Sequence, residues 1–506
     1  MPRRRKSGLL LHPTSLPGRY GIGELGDVAY RFVDFLHQSG QSIWQVLPLG
    51  PTGYGDSPYQ SFSAFAGNPL LISLELLQID GLIAADDLRD LPQLPVHQVD
   101  YTGVRELHWA LLRRACERYD PAAAPALRAR FEDFRHQHAG WLDDYALYMA
   151  LKQAHQGAAW YQWEPELVDR QAAALRNWRN KLGAEIELQC FVQFLFFTQW
   201  LALKQYANAR GVQIMGDIPI FVAHDSADVW AHAELYHLDE AGLPTVVAGV
   251  PPDYFSETGQ LWGNPLYRWD AMAKTGYRWW IDRFKLAFLL ADIVRLDHFR
   301  GFEAYWEIPA DAESAVHGRW VKGPGEKLFA TMRLALGEAP IVAEDLGLIT
   351  AEVKALRRTL GIPGMAVLQF AFGAGPDNEY LPHNLERNCV LYTGTHDNDT
   401  TCGWFDSIGE DVRNHARSYL VCNGNDIAWE LIAIALRSVA DTVIIPVQDL
   451  LGLGSSARMN QPARSDGNNW SWRFREGALE ESVASRLGDL TRLFGRWPGK
   501  ESAKDR

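Results

Sequence analysis

Eight short apolar runs, most of them separated by stretches of helical periodicity, constrain this chain more than anything else in it. They are Gly8–Pro13, Ser42–Pro48, Val212–Pro219, Ile293–Asp297, Pro340–Glu344, Met365–Phe370, Val390–Asp397 and Thr442–Asp449. Helical patterns fall between them at Val28–His37, Glu187–Ala209 (stopped by Gly211), Tyr277–Leu290, Glu326–Leu336, Ala351–Leu360 and Ile427–Val439. An apolar run that stops at a charged cluster reads as a buried parallel strand whose C-terminal end emerges from a core. Eight such strands joined largely by helices predict an α/β fold, a (β/α)8 barrel with its active site at the strand C-termini. A doubly wound open sheet is the alternative, but it should show a GxGxxG turn after the first strand, and none is present.

At 506 residues the chain is long for one barrel. The surplus is expected in two insertions within a single domain spanning residues 1–506. Residues 67–185 show helical patterns at Glu106–Arg118 and Phe131–Gln153 and no barrel-like strand, and predict an inserted helical subdomain. Residues 221–270 predict a smaller insertion that forms a substrate loop. Gly50–Ser61, rich in Gly, Pro, hydroxyls and aromatics, reads as an ordered loop.

Several strand ends carry carboxylates: Asp217, Asp297, Glu344 and Asp397. In Ile293-Val-Arg-Leu-Asp297, strand alternation turns Arg295 and Asp297 the same way. An opposite charge alongside favours the ionised form of a carboxylate. Such a mouth allows two chemistries. Oxygen ligands hold Mg²⁺ or Ca²⁺, or two carboxylates flank a glycosidic bond, one as nucleophile and one as acid/base. Arg295 and His396 set donors where a cation needs acceptors, so no metal and no cofactor is expected. Asp345 follows Glu344 but should face the other way.

Hydrophobic residues are 47% of the chain, and a net charge of −13 argues against nucleic acid or an anionic membrane surface as the main partner. The start Arg3-Arg4-Arg5-Lys6 reads as a solvated tail, and the charged end Gly499–Arg506 as frayed. No stretch is read as approaching the roughly 18 apolar residues of a membrane span. Five scattered cysteines without CxxC suit free thiols in a reducing cytoplasm. Aromatics make up 12%, a heavy share that suits platforms for sugar rings as well as core.

The motifs Val294–Phe302, Val342–Gly347, Tyr392–Thr400 and Gly249–Tyr267 closely resemble the amylomaltase family of 4-α-glucanotransferases, in the α-amylase clan. Gly50–Asn68, Gly216–Trp230 and Arg458-Met-Asn460-Gln-Pro462 are similar to it too, so the likeness spans about Gly8 to Trp472 and is weakest over 67–185. The resemblance implies a cytoplasmic enzyme acting on α-1,4-glucans and maltooligosaccharides, with glucose as an acceptor. It implies Asp297 as nucleophile, Glu344 as general acid/base and Asp397 as the carboxylate that grips the sugar. It also implies sugar contacts for Tyr59, Asp217, Asp253, Tyr254, Phe255, Trp262, Arg295 and His396, with Asp217 binding hydroxyls or supporting Arg295. For Glu344 to begin protonated, its surroundings should raise its pKa. Tyr54 and Tyr101 match tyrosines of a second glucan site in some members, but Tyr101 lies in the poorly matched insertion and is expected on the surface. Trp470 and Trp472 read as structural. Two other readings stay open: a hydrolase of α-amylase type, sharing the trio but letting water accept, and a non-catalytic glucan-binding protein.

Overall fold

The computed structural model describes residues 5–252, 257–462, 464 and 468–498. Among them are twelve strands: β1 Lys6–Leu10, β2 Ile43–Gln45, β3 Gln213–Pro219, β4 Val246–Val250, β5 Gln260–Pro265, β6 Ile293–Asp297, β7 Ala304–Pro309, β8 Arg319–Lys322, β9 Ile341–Ala343, β10 Gly364–Val367, β11 Cys389–Tyr392 and β12 Thr442–Pro446.

Eight of these form one all-parallel sheet in the order β10-β11-β12-β1-β2-β3-β6-β9. Ala343 N–H donates to Pro363 O at 2.9 Å, linking the two ends of that order into a nearly closed barrel. These are the eight runs expected from the sequence. The strands are buried on both faces, and apolar side chains such as Leu9, Ile43, Val294, Leu296, Ala343, Leu391 and Ile444 are fully buried. Gly8 serves close strand approach: a Cβ there would meet Ile43 O at 2.2 Å. Helices Glu326–Leu336 and Ala351–Leu360 fall where the periodicity puts them. The second ends at Gly361, whose φ of +69° lets its N–H return to the carbonyls of Arg357 and Arg358.

Within 67–185 the long helices are Tyr101–Arg118, Pro125–Ala154 and Ala172–Lys181. Their apolar side chains belong to the same continuous cluster as the barrel core. The helix Gly183–Ala209 corrects the reading that no segment matches a membrane span. It is long and apolar enough to cross one, but 72% of that stretch is buried, which suits a helix clamped in a core.

Residues 221–270, read from the sequence as a substrate loop, contain two strands. The strands β4 and β5 pair there as antiparallel neighbours, and β7 and β8 join them in the order β5-β4-β7-β8. Residues beyond β6 therefore build half of this sheet. The N-terminal expectation also changes. Arg5 donates to the carbonyls of Phe494, Leu436 and Ser438, and Lys6 opens β1 and bonds Gln213. These two side chains pin the barrel floor instead of forming a solvated tail, because otherwise unpaired helix-end carbonyls gather there. Arg3, Arg4 and Gly499–Arg506 lie outside the described residues.

Candidate active site

The barrel mouth gathers side chains from β3, β6 and the segments after β9 and β11. Arg295 sits at its centre with 4% of its side chain exposed. Its Nη1 lies 2.9 and 2.7 Å from the two oxygens of Asp217, whose side chain is wholly buried, and 3.0 Å from Asp297 Oδ1. Burial disfavours the charge on Arg295, but Asp217 and Asp297 outweigh it and hold the guanidinium protonated. Burial also pushes Asp217 upward against the pull of Arg295. With the guanidinium on both oxygens and Tyr59 OH donating to Oδ2 at 2.8 Å, the ionised form is the one the geometry favours. Of the two roles expected for Asp217, this contact suits support of Arg295. Asp297 keeps 29% of its side chain exposed, open to the cleft.

Glu344 follows β9, which pairs with β6, so it sits beside Asp297. Its Oε2 accepts from His298 N–H and its Oε1 from Leu346 N–H, each at 2.8 Å. His298 adopts a left-handed backbone, φ +50°, at the turn where β6 ends. Burial pushes the Glu344 carboxyl up to about 7, and the Asp297 charge adds to the push, against the pull of Arg295 and the two N–H donors. Asp345 turns away as expected: it pairs with Arg357 Nε at 2.9 Å and accepts from Met365 N–H.

Asp397 and His396 ride on the segment after β11. Buried Asp449, from the end of the β12 run, staples that segment by accepting from the Thr393 and Thr401 hydroxyls and from Thr401 N–H. Tyr59 stacks on His396, with ring centroids 5.2 Å apart and planes at 13°. Burial, then the Asp217 charge, pushes the Tyr59 phenol well above its ordinary range. It is therefore a neutral donor at every working pH.

Trp262 is on β5, not in a loop as expected. It is partly buried, edge-to-face with His298 at 4.8 Å. Asn264 is buried and donates to Val222 O, so its amide serves the fold. Asp253, Tyr254 and Phe255 lie outside the described residues. Tyr54 is 82% exposed, but Tyr101 is buried rather than on the surface. Its hydroxyl donates to Trp470 O at 2.9 Å, because the start of its helix tucks beneath the 470 segment.

Sequence reasoning read Trp470 as structural and gave no role to Arg458 or Asn460, and all three stand at the mouth. Trp470, at φ +64°, lays its ring against Tyr59 and His396, at 5.7 and 6.0 Å. Asn460 and Arg458 bond Asp397. The one available signal was their place in Arg458-Met-Asn460-Gln-Pro462, a motif with no titratable pair to draw attention to it.

A parallel barrel whose mouth sets an arginine-gripped aspartate beside a glutamate with an elevated pKa suits the class of carbohydrate-active enzymes that work with two carboxylates. The family described as 4-alpha-glucanotransferase matches residues 11–479. The chain is 53% identical over 491 residues to a 4-alpha-glucanotransferase of Thermus thermophilus, covering 96% of this chain and 97% of that one. It is 46% identical to the chloroplastic/amyloplastic 4-alpha-glucanotransferase of Arabidopsis thaliana, covering 97% and 86%. The solved amylomaltase of Streptococcus agalactiae in complex with acarbose matches with a TM-score of 0.94 at 40% identity, covering 98% of this chain and all of that one. The amylomaltase of Corynebacterium glutamicum shares the fold, with a TM-score of 0.79 at 18% identity over 96% of this chain and 75% of that one. The chain belongs to the 4-alpha-glucanotransferase family, and its activity is that of a 4-α-glucanotransferase of the amylomaltase type. Of the readings left open by the sequence, transfer therefore stands over hydrolysis and over mere binding.

Proposed function

We propose that this enzyme disproportionates α-1,4-glucans and maltooligosaccharides through a covalent intermediate on Asp297. The observation that carries the residue roles is the contrast between two neighbouring carboxyls: Asp297 held by a buried guanidinium, and Glu344 raised to about 7. In the first step an Asp297 oxygen attacks the anomeric carbon. The bond to the leaving glucan's O4 breaks, and the Glu344 proton passes to that oxygen. In the second step Glu344 takes the proton from an acceptor's 4-hydroxyl, whose oxygen attacks the same carbon and frees Asp297. Asp397 and His396 hydrogen-bond ring hydroxyls more strongly as the ring flattens toward the transition state. Tyr59 lies under the sugar, with its ring set by the hydrogen bond to Asp217.

Sugar, glucose included, wins over water because a held acceptor works at an effective molarity of roughly 10⁵–10⁸ M, against about 55 M for bulk water. Trp262 and the Asp253–Phe255 segment are of the right kind to hold that acceptor and shut out solvent. A cytoplasmic setting fits the five free thiols, and the net charge of −13 fits neither a nucleic acid nor a membrane partner. Chain-length analysis on maltotriose tests the reading. Glucose plus chains longer than the donor supports it; glucose and maltose alone refute it.

A further inference from the structure

The three carboxylates given roles on the sugar are anchored differently. Asp297 is gripped by Arg295, and Glu344 by two backbone amides. Asp397 sits on a loop with 46% of its side chain exposed, and its Oδ2 is 3.5 Å from His396 Nε2, too far for a good hydrogen bond. An exposed carboxylate on a loop would turn among rotamers, and a group that must meet a transition state gains from being fixed beforehand. The fixing comes from a segment 63 residues further along the chain. Asn460 Nδ2 donates to Asp397 Oδ1 at 2.6 Å. Asn460 N–H donates to His396 O at 3.0 Å. Arg458 closes the ring, with Nε on Asn460 O at 2.8 Å and Nη2 on Asp397 O at 2.5 Å. Met459 between them is buried and accepts Trp470 N–H at its carbonyl, which ties the clamp to the aromatic stack.

We infer that Asn460 is a positioning residue for transfer: it locks the Asp397 carboxylate in one rotamer, occupying Oδ1 and leaving Oδ2 to the sugar hydroxyls. An amide suits this place because it donates at every pH and brings no charge. Other charged or titratable groups face the pair. His396 is on the same loop, Arg458 lies behind, and Asp399 is turned to Ser455. Tyr59, bonded to Asp217 above Arg295 and Asp297, lies across the stack.

The inference rests on the reading that Asp397 grips the sugar, so Asp397→Ala is measured alongside. Asn460→Ala should lower kcat ~10–100-fold, the reach of one hydrogen bond to a charged group, with KM changed less than about 3-fold. Asn460→Asp should behave differently. Two carboxyls that close cannot both ionise, so the pair shares a proton at low pH and keeps the geometry. As pH rises that proton leaves and repulsion turns Asp397 away. The variant should therefore be nearly active in acid and lose kcat at a pH at least about one unit below the wild-type alkaline limb. A purely structural asparagine would lower Tm without moving the pH profile. Wild-type kcat in Asn460→Ala overturns the inference, as does an unmoved profile in Asn460→Asp. If Asp397→Ala is itself fully active, the reading beneath has failed instead. Should Asn460→Asp not fold, the kcat-against-KM split of Asn460→Ala decides alone.

Discussion

Replacing Glu344 with Gln makes its elevated pKa visible as a stability effect, independent of turnover. In the unfolded chain this carboxyl titrates near 4.5, in the folded protein near 7, raised first by burial and then by Asp297. Between those values the folded state holds a proton the unfolded state has released, so stability falls as pH rises, and the loss is complete above about 7. At 1.36 kcal/mol per pKa unit the loss reaches about 3 kcal/mol, an upper figure because the side chain is only half-buried. Melting entropy near 2.1 cal/mol/K per residue gives a 506-residue chain about 1 kcal/mol/K, so the effect is worth about 3 °C. Gln does not titrate. It also places an NH₂ group where one oxygen accepted an N–H, which shifts Tm downward by an amount independent of pH. The assay is Tm of both proteins by calorimetry from pH 4 to 9. The Gln variant should gain about 2–3 °C on the wild type from pH 4 to 8. Parallel curves would mean that Glu344 titrates ordinarily and that the case for its acid role is lost.

The same carboxyl governs rate: kcat/KM should fall as pH rises through about 7, where the free enzyme loses the proton it must donate, and a flat profile to pH 9 would contradict this. Asp297→Ala should cut transfer more than ~100-fold with Tm unchanged within about 2 °C, since a half-open barrel-mouth residue is not core. Asp217→Asn strips the buried side of Arg295 and should cost roughly 3 kcal/mol, measured by denaturant unfolding. Trp262→Ala should raise hydrolysis relative to transfer, read as reducing ends released against chain redistribution. An equal fall in both would give Trp262 no part in excluding water.

Much of this was written where one could read it. The eight barrel strands announce themselves because parallel strands buried on both faces become near-continuous apolar runs, and the carboxylates follow because barrel chemistry gathers at strand ends. The antiparallel sheet did not announce itself. β7 runs Ala-Tyr-Trp-Glu-Ile-Pro with no clean alternation of buried and exposed residues, and β8 is a short, largely exposed piece between Gly318 and Gly323. Tyr101 was expected on the surface because it lies in the poorly matched insertion, and the segment its hydroxyl meets is 369 positions away. Asn460 has the same difficulty: nothing around it in sequence reveals that its amide ends on Asp397.

The most direct measurement is the intact mass of Glu344→Gln after incubation with an α-maltotriosyl fluoride, followed by peptide mapping. Fluoride leaves without a proton from Glu344, and the glutamine side chain cannot activate the acceptor, so a glycosyl group should accumulate on the peptide bearing Asp297. No adduct, or one mapped to Asp217 or Asp397, would contradict the assignment of Asp297 as nucleophile and Glu344 as its acid/base partner.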